Sequence, residues 1–195
     1  MKIIIMMYVT LFPTIIAGVL NMVWCKSSIL KKLNTPVDFK KNFIDGKRIF
    51  GENKTFKGIL GYVIFNIISA VLWGFLCRIL NIENYNFFFI NYTNTFFYNV
   101  LIGTLLGLAY SLFELPNSFI KRRIGIAPGK TTSGLKKIFF IFLDQADSIF
   151  GCCLVVCVFF NLSLKFYFLY VIVGAITHIV INILLYLFKL RKNMF

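Results

Sequence analysis

Acidic residues are scarce in this chain, and so are charges of either sign. Only seven Asp and Glu occur in 195 residues, and charged residues together make up 14%, against roughly a quarter in an average soluble domain. Because 59% of the residues are hydrophobic, the composition excludes an ordinary soluble globule. A net charge of +14 in so apolar a chain favours anionic lipid and membrane orientation over a nucleic-acid partner.

Cysteine and histidine also offer little for chemistry. None of the five cysteines forms a CxxC pair, and Cys152, Cys153 and Cys157 fall within one apolar run, which favours packing over a disulfide or a metal site. The single histidine, His178, lies deep in the last apolar run. A hydrogen-bonded packing role is therefore favoured for it over a catalytic one.

Apolar runs long enough to cross a bilayer, which takes about 20 residues per helix, are plentiful. They cover residues 3–24, 59–80, 96–115, 138–160 and 164–188. The first run lacks a small-residue cleavage site, so it predicts a retained helix and not a signal peptide. The sequence predicts an all-α integral membrane protein, with residues 1–195 forming a single membrane domain of about five transmembrane helices.

Lysine and arginine are concentrated on one side of these spans. Residues 25–57 hold nine of them, residues 117–137 hold six and the tail after Phe188 holds three, which leaves Lys2, Arg78 and Lys165 for the other side. The positive-inside rule then places the N-terminus outside and the C-terminus in the cytoplasm. The loops 25–58 and 117–137 are thus predicted to share the cytoplasmic face of a multi-pass protein of the cell membrane.

Two of the few acids lie inside the fourth predicted span. A charge at the centre of a spanning helix costs about 2.5–3.5 kcal/mol on insertion scales, so such residues usually have a partner or a function. Asp144 and Asp147 are three residues apart, which puts both carboxylates on one helix face. Mg²⁺ is typically held by one or two carboxylates together with substrate phosphates. Simple pairing with nearby Lys and Arg explains the two acids equally well at this point.

A second polar group follows the third span. If that helix continues beyond Pro116, then Glu114, Ser118, Lys121 and Arg122 lie on one face, at offsets 0, 4, 7 and 8. An acid, a hydroxyl and a basic cluster in line are suited to holding a metal together with its phosphate. Basic clusters at a membrane edge often serve only as topological anchors, and taken alone this cluster is interpreted as one.

The long loop before the second span carries a third group. Residues 45–58 alternate Gly, Lys and Thr before a helix, and such a segment can present backbone N–H groups and cations to phosphates. No Walker pattern is present. An ordinary solvated loop fits the spacing equally well.

Taken in order, these motifs resemble the CDP-archaeol synthase family and, more distantly, CDP-diacylglycerol synthases. The matching stretches are DGKRIFGENKTFKG at 45–58, SFIKRRIGIAPGK at 118–130, and DQAD at 144–147 followed by Gly151. Glu52, Asn53 and Phe56 stand where that family tends to have Asp, Gly and Trp, and Glu114 stands where it tends to have Asp. The resemblance covers roughly residues 35–152.

The resemblance implies a reaction in which a lipid phosphate attacks CTP and yields a CDP-lipid and pyrophosphate at the cytoplasmic face. It implies that Asp144, Asp147 and Glu114 position one or two Mg²⁺ ions. It further implies catalytic roles for Lys54, Ser118, Lys121 and Arg122, and substrate binding by Asp45, Arg48, Thr55, Lys57 and Arg123. An archaeal-type ether lipid phosphate and a phosphatidic acid both remain candidate substrates.

Other functions stay open beside this one. A membrane lipid kinase of the polyprenol type would use ATP, and a non-catalytic lipid-binding or transport protein would need no Mg²⁺. A CDP-alcohol phosphotransferase is disfavoured because the DxxDGxxAR arrangement is missing and Ser148 follows Asp147.

Overall fold

The computed structural model describes residues 2–130 and 134–189, without the side chains of residues 135 and 136. This part is helical, with no strand beyond two isolated bridges. The helices are α1 (Lys2–Lys26), α2 (Phe56–Ile79), the one-turn α3 (Phe87–Ile90), α4 (Phe96–Arg123), α5 (Leu135–Phe159) and α6 (Leu164–Leu187), with 3₁₀ turns at Lys31–Asn34 and Glu83–Tyr85. Five of the helices are long and apolar enough to cross a membrane, which confirms the predicted fold class.

The third long helix extends beyond the predicted span of residues 96–115. Helix α4 continues through Pro116 to Arg123, and α5 begins at Leu135, so the second loop shrinks to residues 124–134. Proline removes only one backbone donor, and Asn117 and Lys121 beyond it bond to α5. The two cationic tail residues after position 190 lie outside the described residues.

A proline inside α1 is compensated by a neighbouring helix. Pro13 has no N–H to offer the carbonyl of Val9 four residues earlier. The indole N–H of Trp73, on α2, donates to that carbonyl at 2.7 Å. The contact satisfies the orphaned acceptor and fixes α1 against α2.

The close contact between α2 and α4 depends on glycines of α4. A Cβ on Gly103 would lie 2.6 Å from the Cα of Ile67, and one on Gly107 would lie 2.6 Å from the Cα of Val63. The backbones of α2 and α4 can approach this closely only because both positions lack a side chain. Helix α2 also packs on α1, α4 on α5, and α5 on α6, and hydrogen bonds from Tyr170 to the Met7 carbonyl and from Thr177 to Tyr8 join α6 back to α1.

The outward faces of the long helices are apolar. Leu72 and Phe75 on α2, Val158 on α5 and Ile176 on α6 are all exposed. Exposed apolar side chains on every long helix are expected of a surface that contacts lipid. The two loops 27–55 and 124–134 lie at the same end of this bundle, since an even number of spanning helices separates them.

Candidate active site

The first loop is folded around a buried acid that the sequence analysis did not single out. Asp38 accepts hydrogen bonds from Arg48 at 2.8 and 3.2 Å, and from the backbone N–H groups of Lys40, Phe50 and Gly51 at 3.0 Å each. Burial by itself would raise the pKa of Asp38, but Arg48 and the three N–H groups outweigh burial and lower the pKa to about 2. The loop is therefore an ordered structure and not a solvated connector.

The loop is attached to the end of α4 by Arg123. Its guanidinium pairs with Asp45 at 2.7 Å, donates to the carbonyl of Lys47 at 3.1 Å, and lies 4.1 Å from the ring centre of Phe119. The ammonium of Lys47 in turn donates to the Arg123 carbonyl at 2.6 Å. These contacts fix the loop relative to the helix that carries the basic cluster.

A glycine brings the two loops into contact. Gly51 has φ +109°, and a Cβ there would lie 2.9 Å from the ring of Pro128 in the second loop. An L side chain at this position would be strained by its backbone conformation and would collide with that ring. Glycine thus lets the two loops close together over the end of the bundle.

The start of α2 is fixed by two residues of the same loop motif. Thr55 caps the helix by accepting from the N–H of Gly58 at 3.1 Å. Lys57 is fully buried, donates to the carbonyl of Ser27 at 2.8 Å, and lies 5.1 Å from the ring centre of Trp24. These contacts join the beginning of α2 to the end of α1.

The structure therefore separates the predicted site residues into two groups. Five that were expected to bind substrate have partners within the protein and do not line the cavity described below, and their predicted role stays a prediction: Asp45, Arg48, Thr55, Lys57 and Arg123. The other seven do line it: Lys54, Glu114, Ser118, Lys121, Arg122, Asp144 and Asp147.

This cavity has a volume of about 450 Å³ and extends from the two loops into the bundle. Its polar end lies between the loops, α4 and α5, where Phe50, Asn53 and Pro128 contribute with the seven residues above. Its apolar end lies between α1 and α6, with Leu11 and Val173 among the lining residues. One continuous space thus joins a charged region to an apolar region.

The acid pair of α5 is joined by an asparagine from α4. The Asn117 side-chain nitrogen donates to Asp144 and to Asp147, at 2.7 Å each. Lys121, one turn further along α4, donates to both oxygens of Asp144 at 2.7 and 3.0 Å. Asp147 also accepts from the backbone N–H of Ser148 at 2.6 Å. Pairing with a nearby lysine, the alternative left open by the sequence, is thus observed for Asp144.

Lys54 extends from the first loop to α4 and pairs with Glu114. Burial by itself would lower the pKa of Lys54, but the carboxylate of Glu114 outweighs burial and the pKa is raised. Lys54 therefore carries a full positive charge at the polar end of the cavity. The pair also links two segments that are 60 residues apart in the sequence.

Arg122 is the cation of the cavity with the least compensation. Arg122 is only 8% exposed, and its Nε and Nη1 atoms are buried with no hydrogen-bond partner in the described part of the chain. Buried guanidinium N–H groups are rarely left unpaired, because their desolvation is costly. An anion in the cavity would satisfy them.

The donor set at the polar end fits a hard divalent cation. Asp144 and Asp147 face the same point through their shared partner Asn117, and carboxylate oxygens with substrate phosphate are the usual ligands of Mg²⁺. Glu114 is engaged with Lys54, and no three acidic, His or Cys side chains gather as a metal cluster within residues 2–130 and 134–189. The role of Glu114 as a metal ligand stays a prediction.

His178 takes part in a polar chain at the inner side of the cavity. Its Nδ1 lies 3.2 Å from the carbonyl of Gln145, and its Nε2 lies 3.3 Å from the hydroxyl of Tyr110. A carbonyl only accepts, so Nδ1 carries the proton and Nε2 accepts from the tyrosine. This is the hydrogen-bonded arrangement expected of a packing role.

Sequence reasoning missed two residues on which this geometry depends. Asn117 is three residues after Glu114 and four before Lys121, so helical periodicity could have placed it on the same face. Asp38 gave no such signal, because its partners are spread along a loop without a repeat.

Comparison with known proteins shows the family of this chain. The family model described as "CarS-like: CDP-archaeol synthase" matches residues 1–195. A CDP-archaeol synthase of Sulfurisphaera tokodaii is 33% identical over 163 residues, covering 83% of this chain and 82% of the relative. One from Sulfolobus acidocaldarius is 32% identical over 164 residues, covering 83% of each.

A solved structure shares the fold. It is that of an intramembrane enzyme for archaeal membrane lipids biosynthesis, and it superimposes with a TM-score of 0.61 at 19% identity, over 90% of this chain and 92% of the other. With the match over the full length and relatives above 30% identity, the chain belongs to the CDP-archaeol synthase family, and it is an enzyme of the nucleotidyltransferase class.

Proposed function

We propose that this protein transfers the cytidylyl group of CTP to the phosphate of an archaeal-type ether glycerolipid, giving a CDP-lipid and pyrophosphate. The observation that carries the proposal is one continuous cavity with Arg122 at one end and an apolar space between α1 and α6 at the other. The Nε and Nη1 atoms of Arg122 are buried and have no hydrogen-bond partner among the residues that the structure describes. A water-soluble phosphate compound and a lipid tail can meet only in a space of this kind.

The polar end is suited to the nucleotide triphosphate. Lys54, Lys121 and Arg122 provide three cations around it, and charge-assisted hydrogen bonds to phosphate are among the strongest in proteins. They neutralise the phosphates and stabilise the charge that develops on the departing pyrophosphate. Ser118, which lines the same region, is placed to donate to a phosphate oxygen.

The apolar end is suited to the lipid. Residues of both α1 and α6 line this part of the cavity, with Leu11 and Val173 among them. Chains of isoprenoid or acyl type stay out of water there as they do in the bilayer, since exposing them would cost about 25 cal/mol for each Å² of apolar surface, while the phosphate extends to the charged end. The ether linkage is the part of the proposal that rests on the relatives alone, and a phosphatidic acid fits the same cavity.

Asp144 and Asp147 would hold Mg²⁺, since their oxygens are the hard donors of the cavity. Bound there, Mg²⁺ would supply charge neutralisation and alignment of the phosphates. The protein's own residues have the remaining tasks: Lys121 and Asn117 position the carboxylates, and Arg122 and Lys54 bind the anions.

The chemistry needs no nucleophilic side chain. An oxygen of the lipid phosphate forms a bond to the α-phosphorus of CTP, the bond from that phosphorus to the oxygen bridging to the β-phosphate breaks, and pyrophosphate leaves with that electron pair. Catalysis then consists of positioning and electrostatic stabilisation. The half-buried and already paired His178 is not required as a base.

The polar end faces the cytoplasm in this proposal, because both basic loops lie there. A reporter inserted near Asn84, in the loop at the opposite end, should be found outside the cell, and one fused at the C-terminus should be found in the cytoplasm. A cytoplasmic signal near Asn84 would reverse the orientation and place the cavity on the outer side.

The function is tested with purified protein, Mg²⁺, CTP labelled at the α-phosphate, and a panel of lipid phosphates with ether-linked isoprenoid, ether-linked alkyl and ester-linked acyl chains. Labelled lipid and unlabelled pyrophosphate are expected, with ATP inactive as a donor. An Arg122→Gln variant should lose at least tenfold in activity, about 1.4 kcal/mol of transition-state stabilisation, whereas Lys165→Gln at the opposite end serves as the matched control. Phosphorylated lipid formed from ATP, or no labelled lipid with any acceptor, would refute the proposal.

A further inference from the structure

The amide of Asn117 lies where two carboxylates would otherwise repel each other. Its nitrogen is 2.7 Å from an oxygen of Asp144 and 2.7 Å from an oxygen of Asp147. Ionised carboxylates only accept hydrogen bonds, so the NH₂ group, and not the carbonyl oxygen, must point between them. The amide therefore takes the place of a small cation between the two acids.

The other half of the same amide is unsatisfied. Asn117 is only 6% exposed, and its Oδ1 accepts no hydrogen bond from any residue that the structure describes. A buried amide oxygen without a partner is unusual and costs stability. The Asn117 side chain thus combines a fully used donor with an idle acceptor beside an acidic pair.

We propose that Asn117 is a positioning residue whose side-chain amide rotates by about half a turn when a divalent cation binds to Asp144 and Asp147. The rotation is reversed when the cation leaves. In the cation-free protein, its NH₂ group holds the two carboxylates together. Its hydrogens would repel a cation on the same oxygens, and rotation about the terminal bond exchanges NH₂ for the idle Oδ1. Terminal amide torsions are broad and roughly two-fold, and an amide oxygen is an accepted ligand of hard divalent cations.

This inference rests on the proposed metal-binding role of the acid pair but not on nucleotide transfer. It differs from a purely structural role, in which Asn117 serves only as an N–H donor to the acids. Substitution by aspartate separates the two: aspartate keeps the oxygen and loses the donor, whereas alanine loses both. If oxygen is what the cation needs, the aspartate variant keeps its affinity, and if the donor is what matters, aspartate and alanine fail together.

The experiment is Mn²⁺ binding measured by electron paramagnetic resonance on the full-length protein in detergent, without CTP or lipid. We expect the Asn117→Asp variant to bind Mn²⁺ at least as tightly as the unmodified protein, and the Asn117→Ala variant to bind at least tenfold more weakly. The matched control is Asn99→Ala, which removes another buried asparagine of α4 whose nitrogen donates to Asn94 at 2.7 Å. Its Mn²⁺ affinity should be unchanged.

Thermal unfolding supplies a readout that does not depend on activity. In EDTA the Asn117→Asp variant should have a lower Tm than the unmodified protein, because three carboxylates then face one another. Saturating Mn²⁺ should raise the Tm of this variant by more than it raises the Tm of the unmodified protein. Should Asn117→Ala fail to fold, the Asn117→Asp comparison decides alone. The inference is overturned if Asn117→Asp binds Mn²⁺ more weakly than the unmodified protein, including an equal tenfold weakening in both variants. It is also overturned if Asn117→Ala binds Mn²⁺ as well as the unmodified protein, or if the unmodified protein binds no Mn²⁺. The last of these results would leave the cytidylyl-transfer assay to judge the proposed function separately.

Discussion

Asp144 and Asp147 look equivalent in the sequence, but their surroundings predict opposite responses to the same substitution. Asp144 neutralises Lys121 through both of its oxygens. Asp147 is held by Asn117 and by the backbone N–H of Ser148. Changing Asp144 to Asn therefore removes the counter-charge of a lysine, whereas changing Asp147 to Asn exchanges one hydrogen-bonding group for another.

The magnitudes follow from burial. The Lys121 side chain is 12% exposed and that of Asp144 is 28% exposed, so Asp144→Asn should lower the free energy of unfolding by about 1–3 kcal/mol, below the roughly 3–5 kcal/mol of a fully buried pair. Asp147→Asn should change it by less than about 1 kcal/mol in either direction, since removing a charge from a span lowers its insertion cost. Both variants should lose at least 100-fold in turnover, about 2.7 kcal/mol, because an amide is an uncharged ligand.

Denaturant unfolding in detergent and Mg²⁺-dependent CTP turnover, measured on the same samples, separate the two effects. Adding Lys121→Met to Asp144→Asn should restore stability without restoring turnover. Glu83→Gln, an acid of the opposite end that pairs with Arg78 at 3.5 Å, is the matched control and should keep full turnover. A strongly destabilised Asp147→Asn protein whose folded fraction retains normal specific activity would refute the reasoning and make the pair structural.

Three further substitutions test other parts of the structure. Lys54→Ala should lower turnover at least tenfold, about 1.4 kcal/mol, and should destabilise the protein because it leaves Glu114 unpaired. Adding Glu114→Gln should restore stability but not turnover. Because folding lowers the pKa of Asp38 from 3.8 to about 2, its ionised form stabilises the loop above about pH 4, and this stabilisation is lost as the pH falls towards 2. Hydrogen exchange of the Phe50 and Gly51 amides should follow that window, and Asp38→Ala, which removes the oxygen that both amides donate to, should leave both amides unprotected at neutral pH. Gly107→Val should lower the free energy of unfolding by at least about 1–3 kcal/mol, measured in denaturant, because its Cβ would lie 2.6 Å from a backbone atom of α2.

Each of these predictions has a result that contradicts it. Normal turnover in Lys54→Ala would return the loop to the role of a connector. Amide protection at Phe50 that persists unchanged to pH 2 would remove Asp38 as the centre of the loop. For the helix contact, Leu108→Val on the exposed face of α4 is the control, and a Gly107→Val protein as stable as this control would contradict the close approach of α2 and α4.

The fold was predictable from the sequence to the extent that it depends on local properties. Apolar length alone gave five spans with ends within a few residues of the helices observed, since each span must satisfy its own backbone in lipid. The end of α4 was missed because the prediction stopped at the last apolar residue. The polar turn after Pro116 is helical because α5 supplies partners for it, and such partners are visible only in three dimensions.

The site was likewise predictable only where it depends on local sequence spacing. The acid pair and the basic cluster were found because i, i+3 and i, i+4 spacings report one helix face. Asp45, Arg48 and Lys57, which were predicted to bind substrate, do not line the cavity and have partners within the protein. Composition does not distinguish a charged side chain that faces a ligand from one that pairs within the protein. The contact between Lys54 and Glu114 joins segments 60 residues apart, and no local pattern encodes it.

The charges of the cavity explain how such a site persists within a membrane protein. Three acids and three cations line it, namely Glu114, Asp144 and Asp147 with Lys54, Lys121 and Arg122, so their formal charges cancel, 3 − 3 = 0. Two of the cations are paired with two of the acids, which reduces the cost of placing each charge away from water. Phosphates can bind the cations only if the pairs open, and the carboxylates then released need a new counter-charge. A divalent cation arriving with the nucleotide supplies it, so the proposed reaction exchanges the partners within a site that stays near neutral.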